Sequence, residues 1–117
     1  MTIKTFKEIV AWQKSHELVL MVYVLTARYP KYELFGLTSQ SRRCAVSIPS
    51  NIAEGFNRYH TKEFKQFLYI SLGSCAELET QVEISQELGY LERLRKDDLL
   101  EKLNHESRML RSLLNKL

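Results

Sequence analysis

The segment LTSQSRRCAVSIPSNIAEGFNR, residues 37–58, carries the pattern that decides the fold. Its apolar and small residues recur at helical spacing and form one stripe that is expected to face a core: Leu37, Ser41, Cys44, Ile48 and Ile52. Pro49 interrupts the segment because proline cannot donate to the carbonyl of Ala45 and its ring presses on that carbonyl, at a cost of about 3 kcal/mol. We therefore predict a continuous second helix with a kink at Pro49.

The same helix has two further faces. One holds Arg42 and small residues, namely Val46, Pro49 and Ala53, and the other is a polar stripe: Arg43, Ser47, Asn51, Glu54 and Arg58. The stripe has three interpretations: a solvated face with salt bridges, a hydrogen-bonded network at a subunit contact that includes Glu77, or a ligand or nucleic-acid site. We expect Glu54 or Glu77 to pair with Arg42 or Arg43.

Glycines, prolines and capping residues divide the chain into four predicted helices. The first spans residues 6–28, and the second starts between residues 32 and 39 and ends at Gly55. The third starts near Thr61, a candidate N-cap, and ends at Gly89, a candidate C′ glycine. The fourth starts near Asp97 and runs to the C-terminus, with Asp97 and Asp98 at the positive end of its dipole.

The third and fourth helices carry heptad-like stripes. The first stripe consists of Phe64, Leu68, Ser71, Cys75, Leu78 and Val82, and the second of Leu100, Leu103, Ser107, Leu110, Leu114 and Leu117. Such stripes are typical of bundle packing, and short connections favour antiparallel neighbours. We predict an all-α fold, an antiparallel up-down four-helix bundle, with another helix approaching closely at Gly73.

The first helix contains LVLMVYVL, residues 18–25, which is apolar on every face. A helix of a monomeric bundle needs only one apolar stripe, so a second subunit is the expected cover. Val22 and Leu25 are the candidate contact residues for a homo-oligomer. The alternative is that the extra apolar side chains are scattered on the surface, which is common.

Length and composition predict one domain, residues 1–117, with 44% hydrophobic and 26% charged residues. Residues 1–60 hold eight Lys or Arg and four Asp or Glu, a net charge of +4, whereas residues 61–117 hold nine and ten, a net charge of −1. Cys44 and Cys75 match no CxxC pattern and are expected to be buried and reduced. No signal peptide or membrane span is recognisable, so we expect a cytoplasmic protein without membrane association.

No arrangement of catalytic or metal-ligating residues is recognisable. His16, His60 and His105 lie on different segments, and HExxH, P-loop and GxGxxG motifs are lacking. We therefore predict a protein that is not an enzyme and has no cofactor and no metal.

Several motifs together resemble a known family: LTSQ (37–40), SIP (47–49), NIAEG (51–55), GS (73–74) and ELE (77–79). The chain resembles, over nearly its whole length, the four-helix-bundle proteins encoded in intervening sequences of bacterial 23S ribosomal RNA genes. That family looks related to the accessory protein of diversity-generating retroelements, a basic pentamer that contacts nucleic acid and a reverse transcriptase. The resemblance implies an up-down bundle that forms a ring-like homopentamer.

Two functions are consistent with these observations. The first is an oligomeric bundle that binds nucleic acid, most simply RNA, through basic side chains with the aromatic neighbours Phe56 and Tyr59. Its candidate contacts are Arg42, Arg43, Arg58, Lys62 and Lys65. The alternative is a protein-interaction scaffold or accessory subunit that binds a protein partner and no nucleic acid. Pro49, Asn51, Glu54, Gly73 and Glu77 are the candidate structural or interface residues.

Overall fold

Four α-helices make up the computed structural model, which describes residues 2–117. They are α1 (Val10–Thr26), α2 (Leu37–Phe56), α3 (Thr61–Glu87) and α4 (Arg93–Lys116), with short 3-10 turns at Phe6–Glu8 and Lys31–Glu33. The described residues contain no β-strand. The predicted all-α, four-helix fold is confirmed.

Two predicted helix starts are wrong. Ile9 is extended, with ψ of 121°, and separates α1 from the preceding 3-10 turn, which the Thr5 and Glu8 side chains close as a capping box. The fourth helix begins at Arg93, four residues before Asp97. Asp97 and Asp98 therefore lie beyond its first turn, and the proposed dipole interaction is wrong because that effect fades within one turn.

The end of α3 follows the prediction made from Gly89. Gly89 has a φ of +82°, the left-handed conformation that glycine adopts without steric cost. The Gly89 amide donates to the Gln86 carbonyl at 3.0 Å, and the Tyr90 amide donates to the Ser85 carbonyl at 2.9 Å. These two bonds form a Schellman motif. At the other end, His60 is the N-cap and Thr61 the first helical residue, one position from the prediction.

Each helix contacts two others. Helix α1 packs on α2 and α4, and α3 packs on α2 and α4, whereas among the described residues no Cα atom of α1 lies within 8 Å of one in α3. Between α2 and α3, Gly55 lies against Phe67, and Ser47 lies farther along against Ser74. This opposite order supports the antiparallel arrangement that the short connections predict.

The predicted core stripes of α2 and α3 are confirmed in their middle, since Ile48, Ile52, Leu68 and Leu78 are fully buried. Leu37 and Phe64, the first residues of the two stripes, are only partly buried. On α4, Leu103, Leu110 and Leu114 are buried as expected. The rest of that stripe is displaced by one residue. Leu99 and Glu106 take the buried positions that were assigned to Leu100 and Ser107, and Leu117 is exposed.

The outer face of α1 differs from the prediction in the residues that form it. Val22 is 2% exposed and belongs to the core, and Leu25 is partly buried against it. Within residues 18–25 the exposed apolar side chains are instead Leu20, Tyr23 and Val24. A charged residue at position 22 would therefore test folding and not assembly.

Helix α2 is continuous through Pro49, as predicted, while the kink itself stays a prediction. Its contact with α3 is close at Gly55, where an added Cβ would lie 2.6 Å from Cβ of Phe67. The close approach of another helix that was predicted at Gly73 does not occur within this chain. An added Cβ there would meet no atom within 4 Å, so no helix of the same chain approaches it.

None of the described helices has the length and apolar character needed to span a membrane.

Candidate nucleic-acid interface

Arg42 joins α2 to the C-terminal turn of α1. Its Nε donates to the Thr26 hydroxyl at 2.9 Å, and its Nη2 donates to the Tyr23 carbonyl at 3.4 Å. The guanidinium also lies 4.6 Å from the centre of the Tyr23 ring, in a cation–π contact. A cation at a helix C-terminus interacts favourably with the helix dipole, so Arg42 has a structural role in this position.

Arg58 is held by acidic and aromatic neighbours close to the α2–α3 connection. Its Nη2 lies 2.7 Å from Glu54 Oε2, its Nη1 lies 3.9 Å from Glu63, and the guanidinium lies 4.9 Å from the centre of the Phe67 ring. The expected pairing of Glu54 with Arg42 or Arg43 is therefore wrong. Glu54 instead pairs with Arg58, four residues later in the chain, because side chains four residues apart lie next to each other along a helix.

The other three candidate cations make no ion pair and no side-chain hydrogen bond within residues 2–117. Lys62 and Lys65 lie in the first turns of α3, a few residues after Arg58 and the almost fully exposed Tyr59 in the sequence. Arg43 lies apart from them, because it is twelve residues before Gly55, or about 18 Å along α2. Phe56 packs edge-on against Phe64 at 5.9 Å and belongs to the helix contact.

The middle of the polar stripe is a hydrogen-bonded network between α2 and α3. The hydroxyls of Ser47 and Ser74 lie 2.8 Å apart, and the Asn51 amide donates to the Ser47 carbonyl at 2.8 Å and to its hydroxyl at 2.9 Å. Glu77 lies exposed beside this network and forms no ion pair with the described residues. These hydrogen bonds join two helices of one chain, and the choice among a solvated face, a subunit contact and a ligand site stays a prediction.

Comparison with known proteins identifies the family. The model of one family, described as 23S rRNA-intervening sequence protein, matches residues 7–112. This chain belongs to that family. One similar solved structure is a Bacteroides thetaiotaomicron VPI-5482 protein, described as of unknown function and from the S23 ribosomal protein family.

The Bacteroides structure shares 22% sequence identity with this chain and has a TM-score of 0.84, with 91% of this chain and 96% of that chain covered. At this identity the likeness shows the fold alone. No curated protein matches this chain. The match to the family model confirms the resemblance that was inferred from the sequence motifs.

Glu106 is a residue of this family member that the sequence analysis missed. Its side chain is 0% exposed on the core face of α4, and neither carboxylate oxygen has a hydrogen-bond partner among the described residues. Burial raises the pKa of this carboxyl to about 8. The 4-3-4 spacing of Leu99, Leu103, Glu106 and Leu110 is the signal that could have revealed it.

Cys44 and Cys75 are free and buried, as predicted. Burial raises the pKa of each thiol to about 12, helped by Glu77 at Cys44 and by Glu106 at Cys75. The Cys44 thiol donates to the Ser74 carbonyl at 3.1 Å. Both side chains therefore stay neutral and pack as small apolar groups.

Proposed function

We propose that this protein is a non-enzymatic homo-oligomer that binds nucleic acid, with RNA as the expected ligand. The observation that carries the proposal is the group of cations at the start of α3. Lys62 and Lys65 have no acidic partner among residues 2–117, and both follow Arg58 and the exposed Tyr59 within seven residues of sequence. Unpaired cations next to an aromatic ring suit a phosphate backbone with stacked bases.

The proposal of self-assembly is supported by the outer face of α1. Leu20 is 57% exposed and Val24 is 67% exposed, and Tyr23 lies between them. A contiguous apolar surface of this kind marks a protein contact more often than a solvated face. The proposed cover is a second copy of the chain, in the homopentamer that the resemblance implies. Gly73, on α3, leaves room for close approach by that copy.

Filter binding of a single-stranded RNA at several salt concentrations tests the nucleic-acid proposal. Each phosphate contact to a single strand contributes about 0.7 to the slope of log K against log salt. The double variant Lys62→Gln/Lys65→Gln should lower that slope by about 1.4. The matched control is Lys96→Gln/Lys102→Gln, because both of these lysines are held in ion pairs with Glu83 and Asp98. Absence of RNA binding by the wild-type protein at low salt would refute the proposal.

Light scattering tests the assembly proposal. A pentamer would have about five times the monomer mass of 13.8 kDa. Leu20→Glu should reduce the mass, whereas the control Leu94→Glu should not, since Leu94 is exposed at the start of α4 and outside the α1 face. A wild-type monomer at micromolar concentration would contradict the proposal.

A protein-interaction scaffold is the second candidate function. It is favoured by the connection between α1 and α2, where Phe35 is 93% exposed and Tyr32 and Leu34 are also exposed. Large apolar side chains in an exposed connection suit a protein partner. A stable oligomer that binds no RNA at low salt would favour this scaffold over the nucleic-acid function.

A further inference from the structure

A polar groove runs along the outside of the bundle between α3 and α4. It has a volume of about 330 Å³, and α4 lines it with Asn104, Ser107, Arg108 and Arg111. The wall from α3 includes Leu72 and Ala76 and ends at Glu79. Residues three and four positions apart share one face of a helix, so Asn104, Arg108 and Arg111 point into the groove from successive turns.

The two arginines are the main charges of this groove. Neither Arg108 nor Arg111 forms an ion pair or a side-chain hydrogen bond with any residue from 2 to 117, and both are exposed. Glu106 lies between Asn104 and Arg108 in the sequence but is fully buried on the other side of α4. It therefore contributes no acidic group to the groove, and Glu79 is the one acidic side chain in its lining.

The groove and the cations at the start of α3 lie on the same face of that helix. Lys65, Tyr69, Leu72 and Ala76 are spaced by four, three and four residues, so they share one face of α3. Tyr69 is 60% exposed on that face, between Lys65 and the groove. The distance from Lys65 to Ala76 is about 16 Å along the helix. One continuous surface thus presents a lysine, an aromatic ring and two arginines in order.

We propose that this groove is a binding site for single-stranded RNA, with Arg108 and Arg111 contacting phosphates and Tyr69 stacking on a base. The inference rests on the proposed nucleic-acid function and adds a site to it. A guanidinium can donate two hydrogen bonds to one phosphate, and an exposed ring stacks on any base of an unpaired strand. Asn104 supplies an amide that can bond a base edge or a ribose. A duplex keeps its bases stacked inside, so it cannot use Tyr69.

Filter binding with a single-stranded RNA of about 16 nucleotides tests the site. The variant Arg108→Gln/Arg111→Gln should lower the salt slope by about 1.4, which corresponds to about 25-fold weaker binding near 0.1 M salt. The control is Arg93→Gln/Arg95→Gln, a pair of exposed arginines at the other end of α4, and it should bind as the wild type does. Far-UV circular dichroism verifies that both variants are folded.

A second variant tests the site by a gain of binding. Glu79→Gln removes the acidic side chain of the groove and its repulsion of phosphates, and it should tighten RNA binding about fivefold at low salt. Wild-type affinity of the Arg108→Gln/Arg111→Gln variant would show that the groove is not the binding site. The proposed function would still stand if Lys62→Gln/Lys65→Gln weakened binding. Equal affinity for single-stranded and duplex RNA would overturn the role of Tyr69. A wild-type protein that binds neither RNA would refute both proposals.

Discussion

Replacing Glu106 by glutamine should change how the stability of the protein depends on pH. The carboxyl is fully buried among the leucines of α4 without a hydrogen-bond partner, and burial raises its pKa from an ordinary 4.5 to about 8. In the unfolded chain the carboxyl ionises near its ordinary pKa. Between these two values the folded protein keeps a proton that the unfolded chain releases, so unfolding becomes easier as the pH rises.

The expected effect is large compared with the stability of a small domain. Each pH unit within the window changes the free energy of unfolding by about 1.4 kcal/mol. The stability contributed by the protonated carboxyl is fully present below about pH 4.5 and is lost by about pH 8. The loss is about 3 kcal/mol between pH 5 and pH 7 and about 5 kcal/mol over the whole window, against a typical total of about 5–15 kcal/mol.

Glu106→Gln keeps the size of the side chain and stays uncharged. The variant should match the wild type near pH 4.5 and exceed it by about 3 kcal/mol near pH 7, and the gap should stop growing above about pH 8. Urea unfolding followed by far-UV circular dichroism measures this at one fixed protein concentration, since the stability of an oligomer depends on concentration. Glu101→Gln, exposed on the same helix, is the control. Parallel stability curves for wild type and Glu106→Gln would refute the buried-acid reasoning.

Four further substitutions test the packing and the assembly. Leu78→Ala or Leu110→Ala should each cost about 2–5 kcal/mol in urea unfolding, while the exposed Leu94→Ala should cost less than about 0.5 kcal/mol. A core loss below about 1 kcal/mol would show that the stripes are wrongly assigned. Gly55→Ala should lower the melting temperature, because the new Cβ would clash with α3; an unchanged value would contradict the close contact. Pro49→Ala should leave helix content unchanged and reduce the oligomer mass in light scattering, whereas a more stable protein of unaltered mass would mean a tolerated kink.

The sequence predicts those parts of the fold that depend on periodicity and on glycine. The stripes of α2 and α3 and the end of α3 at Gly89 follow from spacing and from one backbone conformation. The start of α4 could not be predicted in this way, because Glu92 supplies no side-chain cap and three of the first four helical residues are basic. The break at Ile9 cannot be predicted from the sequence either, since Phe6 and Ile9 are three residues apart and therefore fit the spacing of one continuous helix.

The candidate site was only partly predictable, for two physical reasons. The sequence does not show which group a charged side chain contacts. Arg42 donates to Thr26, sixteen residues earlier in the chain, at the end of α1. Averaging charge over half of the chain also concealed the basic end of α4. Residues 102–117 hold four Lys or Arg and one acidic residue, the buried Glu106, but the acidic residues before position 102 cancel them in the sum.

The position of the one tryptophan gives the protein an internal optical probe. Trp12 lines the groove between α1 and α2 together with Val46 and Pro49, and its ring lies 5.3 Å from that of Phe6 and 5.2 Å from that of His16. An indole at the edge of a groove changes its emission wavelength when water leaves or enters its surroundings. A second copy seated there would therefore shift the fluorescence of the unlabelled protein, so the covering of this surface can be followed in real time.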